Sequence, residues 1–124
     1  MSLVEHRPDG IHAIRWVRAD AIAVDAQERT SSFLLAPDAL VEWSPHTLDE
    51  IDETAIQAVL ALEPAVVLLG TGIVHRMPKP AVFGAFLQRG IGLEAMSNAA
   101  AGRTFNLLAA EGRRVVAAFL LPGQ

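Results

Sequence analysis

Between residues 65 and 121 the chain alternates strand, helix, strand, helix, strand with short links. That order restricts its fold more than any other feature of its 124 residues. Residues 65–69 are apolar throughout and rich in valine and leucine, the pattern of a strand buried on both faces. A loop over 70–78 follows. Pro80, suited to a first helical turn, then opens a helix that runs to Arg89 and stops at Gly90. Residues 92–97 predict a second strand and 98–111 a helix with Phe105, Leu107 and Leu108 on its apolar side. Residues 113–121 predict the last strand, closed by Pro122-Gly123. Parallel members of such an arrangement must cross over right-handed, so the expected class is an α/β layer.

The first half has a different rhythm. After a start expected to be flexible over residues 1–10, residues 11–18 alternate apolar and polar, as in a half-buried strand. Ala19-Asp20 turns the chain into a second strand over 21–25, and a polar patch at 26–30 leads to a third over 31–36, which Pro37-Asp38 stops. Three short strands so close together predict an antiparallel meander. Residues 47–62 predict a helix: Thr47-Leu48-Asp49-Glu50 fits a capping box, and Ile51, Ala55, Ile56, Val59, Leu60 and Leu62 form an apolar stripe. Pro64 ends it. One domain over residues 11–122 accounts for the whole pattern.

Composition removes several classes of function. With no cysteine there is no disulfide framework, thiolate metal site or thiol nucleophile. A net charge of −4 has the wrong sign for a nucleic-acid binder. The charge is unevenly spread, net −7 over residues 1–62 and +3 over 63–124. Nine of the ten bases are arginine, which we read as a codon habit rather than as phosphate recognition. The polar, proline-interrupted start does not resemble a signal peptide, and the longest uncharged run, 64–74, is too short to span a membrane. A cytoplasmic protein is expected.

Gly70-Thr71-Gly72 follows a buried strand, as the first glycines of a dinucleotide fingerprint do. However, the third glycine position is His75, and Pro78 and Pro80 delay the helix by some eight residues. A tight turn explains the glycines better. Ligands in α/β sheets gather beyond the carboxyl ends of the strands, where Gly70-Thr71-Gly72 and Ser97-Asn98 both belong. Ser97 or Asn98 would cap the next helix with no Glu or Gln three residues on, leaving backbone N–H groups for an anion. Arg76, Lys79 and Arg103 would supply charge. The serines carry no signature of activation, and the four histidines lack the spacing of a metal site. His6 and His12 fall in or beside the loose start. Trp16 and Trp43 suit the core or, at a surface, a partner.

Three segments together resemble a known family: Ser32-Phe33-Leu34-Leu35-Ala36-Pro37 with Trp43, Leu69-Gly70-Thr71-Gly72, and the run from Ala100 to Arg113. It is a domain-of-unknown-function family whose eukaryotic relatives include the mitochondrial complex I assembly factor 3 and the adipogenesis-associated domain protein. The resemblance implies a single three-layered α/β domain with a mixed central sheet in which one strand, the last, runs antiparallel. It implies no known enzymatic activity and no cofactor. The family's recurrent positions fall here on Gly70, Thr71, Gly72, Arg103, Thr104, Asn106, Glu111 and Arg113. Relatives often carry Cys and Tyr where this chain has Gly102 and Phe105.

Two classes of function follow. One is a non-enzymatic binding or assembly module with a protein partner, marked by an exposed apolar patch near Trp16 or Trp43. The other is a domain, enzymatic or not, that binds a small anionic ligand in a pocket rimmed by Thr71, Ser97, Asn98 and Arg103. A third reading makes Arg103, Asn106 and Glu111 structural, bonding backbone around the last helix.

Overall fold

The computed structural model describes residues 4–6 and 10–123. Among these, nine strands form two sheets. The smaller joins β2 (Ile14–Val17), β3 (Ile22–Val24) and β4 (Gln27–Arg29) in an antiparallel meander. The larger contains β1 (Val4–His6), β5 (Ser31–Ala36), β6 (Ala39–Glu42), β7 (Val66–Gly70), β8 (Gly92–Met96) and β9 (Val115–Pro122), in the order β1-β6-β5-β9-β7-β8. Three α-helices accompany them: α1 (Glu53–Leu60), α2 (Pro80–Leu87) and α3 (Asn98–Ala110). The flexible start expected over 1–10 lies largely outside the described residues; within it, Val4–His6 pairs antiparallel with β6.

The layers follow from alternation along the central strands, since successive side chains point to opposite faces. Phe33, Leu35, Val115, Ala117 and Phe119 meet Ala101, Phe105 and Ala109 of α3 and Ile14, Ile22 and Val24 of the meander. The Phe33 and Phe119 rings stack with centroids 5.0 Å apart. On the other face, Leu34, Ala36, Val116 and Ala118 meet Ala55, Ile56 and Val59 of α1 and Val82 and Phe86 of α2. The fold is therefore three-layered α/β with a mixed sheet. The connection β7–α2–β8 steps outward, whereas β8–α3–β9 steps back across β7. Keeping both crossovers right-handed demands that their helices cover opposite faces, as they do.

Several expectations need correction. The last strand does not run antiparallel to its parallel neighbours: β9 is parallel to β7, and the reversal lies at β5, antiparallel to β9. Residues 31–36 are not the third meander strand. They are buried on both faces and fit only the middle of a sheet, while the polar residues Gln27–Arg29 form the meander's exposed edge. The hairpin between β3 and β4 turns at Asp25, whose φ of 54° is left-handed. Pro37-Asp38 does stop the strand over 31–36, as expected. It is a two-residue hairpin turn leading into β6, with Ala36 opposite Ala39. His12 is not beside a loose start: it is buried, its N–H donates to the Pro37 carbonyl at 2.9 Å, and its Nδ1 lies 2.7 Å from Asp25.

The helix expected over 47–62 is split. Glu50 does reach back, its Oε1 accepting from the N–H groups of His46 (2.6 Å) and Thr47 (3.3 Å), but only a 3-10 turn over Leu48–Glu50 results. Asp52 in extended geometry then caps a new helix, Oδ1 accepting from Ala55 N–H at 2.9 Å. Trp43 is buried, not a partner surface, and its Nε1 donates to the Ala55 carbonyl at 3.0 Å. The His46 N–H holds the Glu50 carboxyl below its ordinary value of 4.5. A depressed acid stabilises the fold above its unfolded-state pKa, and that contribution is lost as pH falls through the folded value. Glu50→Gln is therefore expected to flatten the loss of stability below about pH 4.5. Urea titrations of both forms across pH 3–6 check this, and parallel curves would refute it.

Candidate functional site

Strands β7 and β8 lie side by side, yet their following loops lead to helices on opposite faces. That divergence leaves a crevice beyond their carboxyl ends, the place where α/β sheets commonly hold ligands. Five of the expected site residues meet there: Gly70, Thr71, Gly72, Ser97 and Asn98. They are bonded to one another and to backbone. Asn98, 2% exposed, accepts from Gly72 N–H at 3.2 Å through Oδ1 and donates from Nδ2 to the Leu120 carbonyl at 2.9 Å. Its own N–H donates to the Gly72 carbonyl at 2.7 Å. One side chain thus fastens the loop after β7, the start of α3 and the end of β9.

Thr71 holds the rest of the loop. Its Oγ1 donates toward the carbonyls of Val74 (2.7 Å) and Met96 (3.2 Å) and accepts from Arg76 N–H at 3.1 Å. Both glycines are required by this geometry. Gly72 has a φ of 102°, a conformation L side chains rarely adopt, and a Cβ on Gly70 would fall on Asn98 Oδ1. Ser97 caps α3, its Oγ accepting from Ala100 N–H at 3.2 Å. Two of the amide groups offered to an anion, those of Asn98 and Ala100, are consequently bonded within the chain.

The remaining candidates lie further along α3. Thr104 Oγ1 donates to the Ala100 carbonyl at 2.9 Å. Asn106 clamps β2: Oδ1 accepts from Ile14 N–H and Nδ2 donates to the Ile14 carbonyl, each at 2.8 Å. Next to it Gly102 lets β2 approach closely, since a Cβ there would lie 3.0 Å from Ile14 Cγ2. The structural reading of Asn106 thus has a concrete form. Arg103 and Glu111 are exposed. Arg103 has no carboxylate within ion-pair distance among the described residues.

The surface that the sequence did not mark is the loop 72–78 itself. Ile73, Val74 and Met77 are 73%, 58% and 64% exposed, half of the large apolar side chains exposed among the described residues. They border an open cleft of about 830 Å³, whose opposite residues include His46, Leu48 and Asp49, with Leu120 and Pro122 from the end of β9. The signal was visible: three large apolar residues in seven, interleaved with His75 and Arg76, in a segment too proline-rich to bury them in a helix. Trp16, by contrast, is half-buried beneath the Arg18 guanidinium, 4.1 Å from its ring centroid. Among the described residues no group of three His, Asp or Glu is placed to hold a metal. No helix there is long and apolar enough to cross a membrane.

Fold and site together define a three-layered α/β domain whose sheet-end crevice is filled by its own polar side chains, leaving an apolar loop outside. The chain belongs to the family described as "Protein of unknown function (DUF498/DUF598)", whose profile matches residues 14–120. It is 36% identical over 90 residues to NADH dehydrogenase [ubiquinone] 1 alpha subcomplex assembly factor 3 of Bos taurus. That match takes in 71% of this chain and 49% of the bovine protein, so the chain spans about half the length of the relative. Among solved structures it resembles Xanthomonas campestris XCC1710, with a TM-score of 0.85 and 47% identity over 96% of this chain and 91% of that one. A Bordetella parapertussis protein also gives a TM-score of 0.85, at 31% identity over 93% of this chain and 99% of the other.

Proposed function

We propose that the chain is a non-enzymatic, assembly-type binding module, one domain over residues 11–122, that docks another protein through the loop 72–78 and its adjoining cleft. The observation that carries this reading is the exposure of Ile73, Val74 and Met77 on a loop fastened by Thr71 and Asn98. Apolar groups cost free energy in water, and a fold that holds them outward on fixed backbone has a surface ready for a partner. Likeness to the assembly factors supports a protein client, which we take to be a subunit of an NADH dehydrogenase-type complex met in the cytoplasm. The polar residues at the strand ends then act as positioning groups that keep the loop presented.

A photo-crosslinking residue at Val74 in the native extract tests this, with Leu107, exposed on α3, as the control site. A discrete adduct with an NADH dehydrogenase subunit is expected from Val74 alone, identified by mass spectrometry. Ile73→Asp with Met77→Asp should abolish it while leaving the melting temperature nearly unchanged, since both side chains are solvent-exposed. Equal labelling from Leu107, or none from Val74, would overturn the reading.

A further inference from the structure

We infer that, resting on the same docking surface, the cleft beside loop 72–78 is also closed by a second copy of this chain. Its two sides carry complementary chemistry. On one, Ile73, Val74 and Met77 accompany Arg76, whose guanidinium has no carboxylate within ion-pair distance among the described residues. On the other, half-buried Leu48 is followed by the exposed carboxylate of Asp49. Among the described residues the one cation paired with Asp49 is Lys79, at 4.0 Å, with both side chains largely exposed.

A two-fold axis exchanges the same surface between two copies, so an isologous interface must be its own complement. A patch carrying cations alone would repel itself. Here a rotation about an axis through the cleft sets each copy's Ile73–Met77 strip against the other's Leu48, and each Arg76 against the other's Asp49. Because Thr71 and Asn98 already hold the loop, pairing orders little new backbone. The dimer covers the docking loop, so a client competes with the second copy for it.

Sedimentation equilibrium of the full chain from about 10 μM to 1 mM, at low and high salt, tests this. A monomer–dimer equilibrium weakened by salt is expected. Arg76→Glu and Asp49→Lys should each weaken association about tenfold, and the two together should return it to within about threefold of the parent. All three variants change exposed residues, and their melting curves verify folding. A monomer at every concentration overturns the inference, as does a dimer insensitive to both reversals or a double variant no better than the singles. A monomer that still crosslinks its client through Val74 refutes the second copy and leaves the docking reading intact. A dimer without that crosslink does the reverse.

Discussion

Gly70→Ala is expected to lower stability by about 3 kcal/mol and the melting temperature by roughly 10 °C, although it adds one methyl group to an ordinary strand position. The methyl arrives where Asn98 Oδ1 already sits, and Phe119 Cδ1 lies 3.1 Å away on the other side. Either β7 shifts within a paired sheet or Asn98 leaves, giving up its bonds to Gly72 and Leu120. Asn98→Ala alone is expected to cost about 2–3 kcal/mol, because it strands the Gly72 N–H and the buried Leu120 carbonyl. The two changes should not add. Once residue 98 is alanine the new methyl meets only the Phe119 ring edge, so the double variant falls short of additivity by about 2 kcal/mol. Denaturant titrations of the four proteins measure the coupling. Additive losses would mean that Gly70 is demanded by something other than Asn98.

Asn106→Ala should cost about 2–3 kcal/mol by freeing the donor and the acceptor of Ile14 together. β2 is paired with β3 along one edge, and Asn106 takes the place of a neighbouring strand on the other. Hydrogen exchange at Ile14 should accelerate more than exchange at Val67 in the central sheet. Asn106→Asp gives a sharper check. Its carboxylate still accepts from Ile14 N–H but repels the Ile14 carbonyl, so folding favours the protonated acid and raises its pKa. The penalty is therefore present at neutral pH and is relieved as pH falls through that raised value. Stability relative to Asn106→Leu should rise on acidification, and a flat difference would refute the clamp.

The residues that make the parallel half of the fold were legible because their signals are local. Pro80 and Gly90 bracket α2, Ser97 starts α3, and the apolar run before Gly70 is β7. Where structure and sequence expectation differ, the deciding interaction is distant in sequence. Ser31–Ala36 joins β9, some 85 residues later, and its burial on both faces was written in Phe33 and Leu35 alternating with Leu34 and Ala36. The same test that identified β7 would have placed it centrally. The sequence marks Asn98 and Asn106, but whether an asparagine serves a ligand or a carbonyl depends on what the fold brings opposite. Here Leu120 and Ile14 occupy those places. Periodicity does not register loop 72–78, because its meaning lies in the failure of apolar residues to be buried; the signal is instead their density in a proline-rich segment.

The position of β9 has a consequence for how the protein is made. It lies between β5 and β7, and Ser32 Oγ completes that seam by donating to the Leu121 carbonyl and accepting from its N–H. During translation every other strand among the described residues is made first, and β5 and β7 each keep an unpaired edge of the kind that seeds aggregation. The central sheet can close only once β9 has been made, so its two halves, β1-β6-β5 and β7-β8, are joined last by the strand that is synthesised after both.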